Sequence, residues 1–501
     1  MAQFKLNFQI ESLPDTMKVT AFGGISRFLD FLVCVKFFKL LSGKLSLRER
    51  GWPEGVHLLW ILVTLLIGGE HVSDVAGLSQ DQALTTMLDR ILRRHLRKDA
   101  RRRYKQLVKQ FGAPSESSLR RLLEEFHDEG QELARKASEE KAFIPQSNRA
   151  LKGLCELNGA LLAPLFRRHN PTEVTLDMDA TLIESHKANA LYTYKGYPGY
   201  QPLNVYWAEF GVMLYSSFRD GNVVCGYRQL QTLEQALLNL PSSVRVVRLR
   251  LDTQGYEWEL LRYCAEGKNA RFGVIEFVSG VDVTEEFRKA VEKATVWKPY
   301  HDVSANGDSV ETNQEYAEIA FAPNNMVKGK KGTRYRFVAI RERLQSELPC
   351  LESEQAELPF PSYESGKTRY KLYGLVTNRL HMDGEKLIHW HRERCGCGEH
   401  AHAELKSALA GENLPSNKFG ANAAWWQLNV MAFNLQRMMA VLVLCEPWTK
   451  RKLKALRFFL FNVGAWVQTR SRQVVVRLET NKAQWFREIG ARIMALADDL
   501  A

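Results

Sequence analysis

The chain reads as a multidomain α/β protein: a mixed sheet flanked by helices, with an N-terminal helical domain in front and a β-rich insertion. Three observations predict this. The 501 residues exceed what one hydrophobic core holds, so about two to four domains are expected. Apolar residues recur at three- and four-residue spacing from about 24 to 165, which is the helical period. From about 172 the texture changes to alternating runs bounded by turn residues, in the order strand, strand, strand, helix, strand, helix, strand.

In the helical front, HVSDVAGLSQDQALTTML predicts a short helix, a Gly-containing turn and a second helix. GAPSESSLRRLLEEF starts another helix after Pro114 and Ser115, with Ser117 or Ser118 as its cap. Between them lies ILRRHLRKDARRRYKQLVKQ, dense in Arg and Lys. Helical pairs joined by short turns, together with a basic run, suit a DNA-reading domain over 1–165. A solvated helix face is the plainer reading of any single charge run.

From 166 to 292, EVTLDMDAT, LNVYWAEFGVMLYSSFRDG and NVVCGYRQL read as three strands. TLEQALLNL follows as a helix, VRVVRLRLD as a strand closing on an acid, GYEWELLRYCAEG as a helix and RFGVIEFV as a strand. Residues 293–378 hold short alternating pieces such as EYAEIAFAP, TRYRFVAIRERL and KLYGLVTN, split by Gly, Asn and Pro; this is the β-rich insertion. Over 379–447 the chain turns helical again, through LIHWHRER and NAAWWQLNVMAFNLQRMMAVLVL. The segment 448–501 opens basic, with TKRKLKALRFF, and contains a strand, QVVVRLE.

Lys and Arg number 69 against 57 Asp and Glu, a net charge of +12. That excess favours a polyanionic partner or an acidic membrane surface, although a protein that is merely basic would look the same. The most apolar run, VHLLWILVTLLIGG from Val56, is shorter than the ~18–20 residues of a membrane span. FLDFLVCVKFFKLL is interrupted by Asp30, Lys36 and Lys39. Both read as buried or amphipathic helices, so no membrane partner is expected. Eight cysteines are spread thinly and no secretory leader opens the chain, which suits free thiols in a reducing cytoplasm.

Three stretches carry acids that could do chemistry. In TLDMDATLIESH, Asp177 and Asp179 sit two apart, so strand alternation puts both on one face. Something must offset their repulsion, and a divalent cation with its preference for oxygen ligands is the obvious candidate. The plain alternative is an exposed edge strand with two solvated acids. Asp252 closes VRVVRLRL, at the strand end where α/β sheets place their sites; it could equally be a helix cap. Glu399 precedes a helical run to Lys406, about two turns on, so the two share a face. Glu399 could otherwise be a solvated acid near a helix N-terminus, and Glu404 reads as solvated. A zinc site on Cys395, Cys397, His400 and His402 is the competing reading, but C-x-C and H-x-H are poor structural-zinc spacings.

Singly these acids decide little. In order, on strand, strand and helix behind a basic helical domain, they fit phosphodiester chemistry with two divalent cations. The order resembles the DDE transposases of insertion sequences, and more closely the insertion sequence 1380 family. The similar blocks are LDMDATLIESHK with YTYKGYPGYQPLN, then VRLRLDTQGYEWELL, then RCGCGEHAHAELKSALAGENLPSNKFGANAAWWQLNVMAFNL. The front end is similar in GGISRFLDFL, ERGWPEGVHLLW and PSESSLRRLLEEF.

The resemblance implies a ribonuclease H-like fold, with 166–292 and 379–447 as the two parts of its catalytic core. It implies Asp179, Asp252 and Glu399 as catalytic and metal-holding acids, Mg²⁺ as cofactor with Mn²⁺ able to substitute, and Lys406 on DNA phosphate. The related signature carries a Tyr and an Arg before the third acid. Arg394 is the best match for the Arg, one residue farther from Glu399 than in the pattern, with Arg392 as fallback; the Tyr position falls on His391. The basic patch with Lys328, Lys330 and Lys331 suits phosphate contact, and Trp297, Tyr300 and Trp390 could stack on a flipped base or be ordinary core aromatics. The implied activity is binding of terminal inverted repeats, cleavage, and joining of 3′-hydroxyl ends to target DNA. Double-stranded DNA is the implied partner, with a homodimer on it, in the bacterial cytoplasm. A non-catalytic DNA-end binder or repressor descended from such an enzyme is the second reading, and a zinc-dependent hydrolase the third.

Overall fold

EVTLDMDAT forms a strand with neighbours on both sides in the large sheet of the molecule. The computed structural model describes residues 12–14, 16–47, 49–138, 141–304, 306–323, 334–344, 361–365, 368–471 and 473–500. They fall into two compact units: Met1–Asp128 with Ser147–Arg168 and Glu404–Ala501, and Glu129–Gln146 with His169–Ala403.

The first unit opens with β1 (Lys18–Thr20) and the helices α1 (Ile25–Cys34), α2 (Phe37–Lys44), α3 (Glu54–Ile67), α4 (Asp74–Leu78), α5 (Gln82–His95), α6 (Lys98–Phe111) and α7 (Glu116–Glu124). Every residue of α3 after Glu54 is buried, as its unbroken apolar run requires. Asp81 caps α5 by accepting from the Leu84 N–H at 2.8 Å. Ser115, rather than Ser117 or Ser118, caps α7: its Oγ accepts from the Ser118 N–H at 3.3 Å, and the helix begins at Glu116, two residues earlier than a cap at Ser117 would place it. The basic run spans the end of α5 and all of α6, and Tyr104 is the buried residue of α6. Arg93, Arg94, Arg97, Lys98, Arg102, Lys105 and Lys109 are exposed.

α8 (Glu129–Ala137) belongs to the second unit, and α9 (Arg149–Leu161) and α10 (Ala163–His169) follow it. The second unit's strands are β2 (Glu173–Ala180), β3 (Ile183–Glu184), β4 (Leu191–Tyr192), β5 (Pro198–Tyr200), β6 (Leu203–Trp207), β7 (Val212–Ser217), β8 (Val246–Leu251), β9 (Glu276–Gly280), β10 (Lys298–Val303), β11 (Ser309–Ile319), β12 (Arg336–Arg343), β13 (Ser362–Ser365) and β14 (Thr368–Thr377). Its helices are α11 (Gln229–Leu238), α12 (Trp258–Ala265), α13 (Glu285–Glu292) and a long α14 (Gly384–Ala403).

One sheet runs β10-β11-β12-β14-β9-β8-β2-β6-β7, with β13 on β14. Within it, β2, β8 and β9 are parallel, β6 is the antiparallel neighbour of β2, and β7 pairs antiparallel with β6. This is a ribonuclease H-like mixed sheet. The β-rich stretch extends the same sheet, because β14 pairs antiparallel with β9.

Two strand expectations change. LNVYWAEFGVMLYSSFRDG is a hairpin of two strands, turned at Gly211, whose φ of +67° suits glycine. NVVCGYRQL is no strand. It curls because the buried Arg219 donates to the carbonyls of Cys225 and Tyr227 at 3.3 and 2.9 Å.

Back in the first unit, α15 (Phe419–Met439) is buried along nearly its whole length. It packs against α3, α7 and α9. α16 (Leu453–Leu456), β15 (Ala465–Arg470), β16 (Gln473–Arg477) and α17 (Thr480–Asp499) complete the chain, with β1, β15 and β16 forming a small sheet. Among the described residues, no helix is long and apolar enough to cross a membrane.

Candidate active site

The parallel pair β2 and β8 brings two of the expected acids together. Asp179 lies near the C-terminal end of β2, and Asp252 follows the last residue of β8. Parallel strands share their carboxyl ends, which is where α/β sheets gather ligands. Both carboxyls are pushed up chiefly by burial. Asp179 reaches about 7, the charge of Asp252 adding to the effect of burial. Arg394 opposes both shifts. Its Nη1 donates to Asp179 Oδ2 at 3.0 Å, and its Nε is buried with no hydrogen-bond partner among the described residues. Asp252 also caps the turn that follows it, accepting from the Gly255 N–H at 3.0 Å.

Asp177, on the same face of β2, is not part of this pair. Arg250 faces it in register on β8 and grips it bidentately, Nε to Oδ1 at 2.6 Å and Nη2 to Oδ2 at 3.0 Å, both residues buried. The repulsion between neighbouring acids is therefore offset for Asp177 by an arginine. Arg250 Nη1 goes on to the Trp390 carbonyl and to Glu393, each at 2.8 Å, so the same side chain ties α14 to the sheet. His391, at the position of the expected Tyr, donates from Nε2 to the Leu251 carbonyl at 2.9 Å. Burial lowers this imidazole to about 4, so it is neutral and acts as a donor next to Asp252. Near the end of α14, His402 Nε2 meets Asn204 Nδ2 at 3.2 Å, and Asn204 lies opposite Asp179 on β6.

Glu399 lies within the twenty-residue helix α14 rather than at a helix start. It is exposed. Among the described residues, no group of three or more His, Cys, Asp or Glu is placed to hold a metal ion. That statement covers Cys395, His400 and His402; the side chain of Cys397 lies outside the described residues. Lys406 is half-buried in the segment Glu404–Ala408, which winds as a π-helix, so the α-helical spacing from Glu399 does not run the whole interval. Glu404 is buried and accepts from the Leu453 N–H at 2.8 Å; it is not solvated.

The other expected contacts separate. Arg394 is buried against Asp179 and holds an acid where a phosphate was expected. Arg392 turns to Gln314 Oε1 at 2.6 Å and lies 4.5 Å over the Tyr300 ring. Tyr300 is a core residue. Trp390 has Arg379 4.8 Å from its ring and Arg250 at 6.0 Å. Trp297 carries Arg341 at 4.0 Å and donates to the Ala294 carbonyl at 3.2 Å. Lys328, Lys330 and Lys331 lie outside the described residues. Sequence reasoning missed Arg250 and Asn204, and read His402 only as a zinc candidate. The alternation of Arg248 and Arg250 inside an apolar strand was the available signal, since a charge on a buried strand needs a partner.

The donor set fits a hard divalent cation: two half-buried carboxylates converge, and the charge of one raises the other.

A ribonuclease H-like sheet with paired carboxylates at the ends of its parallel strands defines the class of protein. The chain belongs to the transposase DDE domain group 1 family, whose family model matches residues 56–498. No curated protein matches it. Among solved structures it is similar to a piggyBac transposase synaptic complex with hairpin DNA, determined by cryo-electron microscopy. The TM-score is 0.41 at 10% identity, covering 93% of this chain and 80% of that one.

Proposed function

We propose that this protein is a DNA transposase, of the insertion sequence 1380 type by its three motif blocks. In this reading it binds terminal inverted repeats, cleaves phosphodiester bonds there and joins the 3′-hydroxyl ends to target DNA. The observation that carries the reading is the Asp179–Asp252 pair with Arg394 at the carboxyl ends of β2 and β8, in a chain of the DDE family.

Asp179, Asp252 and Glu399 would hold Mg²⁺, with Mn²⁺ able to substitute. When bound, such cations activate a hydroxyl and stabilise the leaving oxygen in an in-line displacement. The chain's own residues do the rest. Arg394 keeps the Asp179 carboxylate oriented and partly neutralised. His391 and Arg250 fix α14 against the strand ends, so that the third acid is carried on a pinned helix. The exposed cations of α5 and α6 hold the DNA backbone, over a helical domain that runs to about residue 165. A homodimer on the DNA, in the bacterial cytoplasm, completes the reading.

A DNA-end binder without catalysis draws on one observation, the exposed Glu399, which among the described residues belongs to no three-ligand group. Incubation with DNA carrying the element's ends separates the two. Wild type cleaves with Mg²⁺ or Mn²⁺ and not with EDTA. Asp179→Ala, Asp252→Ala and Glu399→Ala each lose at least ~10³-fold in rate while still shifting the DNA, because each removes charge placed for the transition state. Binding without cation-dependent cleavage by wild type would establish the non-catalytic reading instead.

A further inference from the structure

We propose that the surface made by residues 448–459 and the first turns of α17 is a second DNA contact, one that grips duplex backbone phosphate without regard to sequence. It rests on the transposase reading only for the identity of the polyanion.

From Trp448 to Phe459 the chain carries five cations, Lys450, Arg451, Lys452, Lys454 and Arg457, and no acid. Arg457 turns inward to the carbonyls of Leu65 and Leu66 at 3.2 and 3.1 Å. The other four are exposed. Interleaved with them are large aromatics. Trp448 stacks on Trp485, with centroids 5.4 Å apart and planes 23° from parallel. Phe459 meets Trp448 edge-on at 6.1 Å, and Phe458 is 71% exposed.

The cations sit on these rings. Arg451 is 4.7 Å from the Trp448 centroid and 5.6 Å from that of Phe459. Lys482 is 5.9 Å from Phe459 and 5.7 Å from Trp485. The mount beneath is firm. Leu453, Leu456, Leu460 and Phe461 are buried, and the Leu453 N–H is held by the buried Glu404. Glu446, 3.7 Å from Lys450, is the acid paired within the patch.

This arrangement has a physical purpose that a solvated charge run lacks. Long cationic side chains lose rotamer freedom when they grip a ligand, and a ring beneath them takes part of that loss in advance. The chemistry selects duplex backbone over other occupants. An unpaired strand is held by stacking its bases on open aromatic faces, whereas here Trp448, Trp485 and Phe459 face one another and the cations. A second copy of the chain would form a two-fold interface that brings this segment towards its own counterpart, and four exposed cations against one neighbouring acid, Glu446, leave a net positive charge that repels its copy there. Phosphate, spaced along a duplex, meets each exposed cation and releases counterions.

The test uses the full chain, a labelled random-sequence duplex and no divalent cation, with binding followed by anisotropy from 50 to 200 mM salt. The variants are Arg451→Gln with Lys482→Gln, and, as an independent pair, Lys450→Gln with Lys452→Gln. The control is Lys289→Gln with Lys293→Gln, exposed lysines in and just after α13. Circular dichroism confirms folding. Each patch pair lowers the magnitude of the log–log salt slope by about 1.8, two contacts at ~0.9 each, so its loss of affinity is roughly tenfold greater at 50 mM than at 200 mM. The control leaves the slope alone. Unchanged slopes in both patch pairs, or an equal fall in the control, overturn the proposal. So does a patch variant that abolishes self-association of the free protein while leaving the slope unchanged, which would make the surface a contact between copies. Wild type that binds no duplex at all removes the transposase reading itself, a result distinct from these.

Discussion

Asp177 and Asp179 stand two residues apart on one strand face, yet each meets a different arginine, and that difference separates a clamp from a site. Asp177 has both oxygens taken by Arg250, while Asp179 shares Arg394 with Asp252. The two acids at strand ends were legible because alternation and position are local properties. Their partners were not, since a register match between β2 and β8 spans a gap of 73 residues. Glu404 shows the same limit: the N–H it accepts from is 49 residues on.

A buried cluster away from the strand ends gives a pH prediction. Asp220 takes Arg135 Nη1 at 3.1 Å, and Glu132 takes the same guanidinium at 3.0 Å. Burial pushes Asp220 up to about 7, against an ordinary 3.8, with Arg135 opposing. The folded chain therefore holds a proton that the unfolded chain releases between those values. The stability this group contributes is full below pH 3.8 and is lost as pH rises towards about 7. Asp220→Asn should flatten that decline, read as urea midpoint against pH; a decline of unchanged steepness would count against a raised Asp220.

At the scale of elements, α14 decides whether there is a site. It is pinned by Arg250 to the Trp390 carbonyl, by His391 to the Leu251 carbonyl, by Arg394 to Asp179 and by His402 to Asn204. Its start was legible, since the chain reads as helical after about 385, but its continuity was not: a separate helical run was expected after Glu399. Gly396 and Gly398 lower helix propensity by ~1 kcal/mol each, but packing of Leu387 and Ile388 into the core and these side-chain ties carry one helix through Gly384–Ala403. The curl after β7 was missed for a similar reason, because one buried arginine dictates it. His391→Phe removes the donor to Leu251 and should slow cleavage by about 10²-fold through misplacement of the acids, with duplex affinity unchanged. Wild-type rates in that variant would remove His391 as a positioning residue.

At the scale of the molecule, the class of fold was legible from the switch between helical and strand periods, and the order of the central strands follows from a hairpin and parallel crossovers. The division into units was not. Glu404–Ala501 joins the N-terminal helices in one unit, and no local pattern announces a partnership across so many residues. The account as a whole stands on Glu399 acting with Asp179 and Asp252 as a cation ligand. Its most direct test is cleavage of element-end DNA by Glu399→Cys, compared with wild type and Glu399→Ala. A thiolate is a softer ligand that disfavours Mg²⁺ relative to Mn²⁺. The account predicts that Glu399→Cys is inactive in Mg²⁺ and regains cleavage in Mn²⁺, while Glu399→Ala is inactive in both. Wild-type cleavage by Glu399→Ala in Mg²⁺ would contradict it.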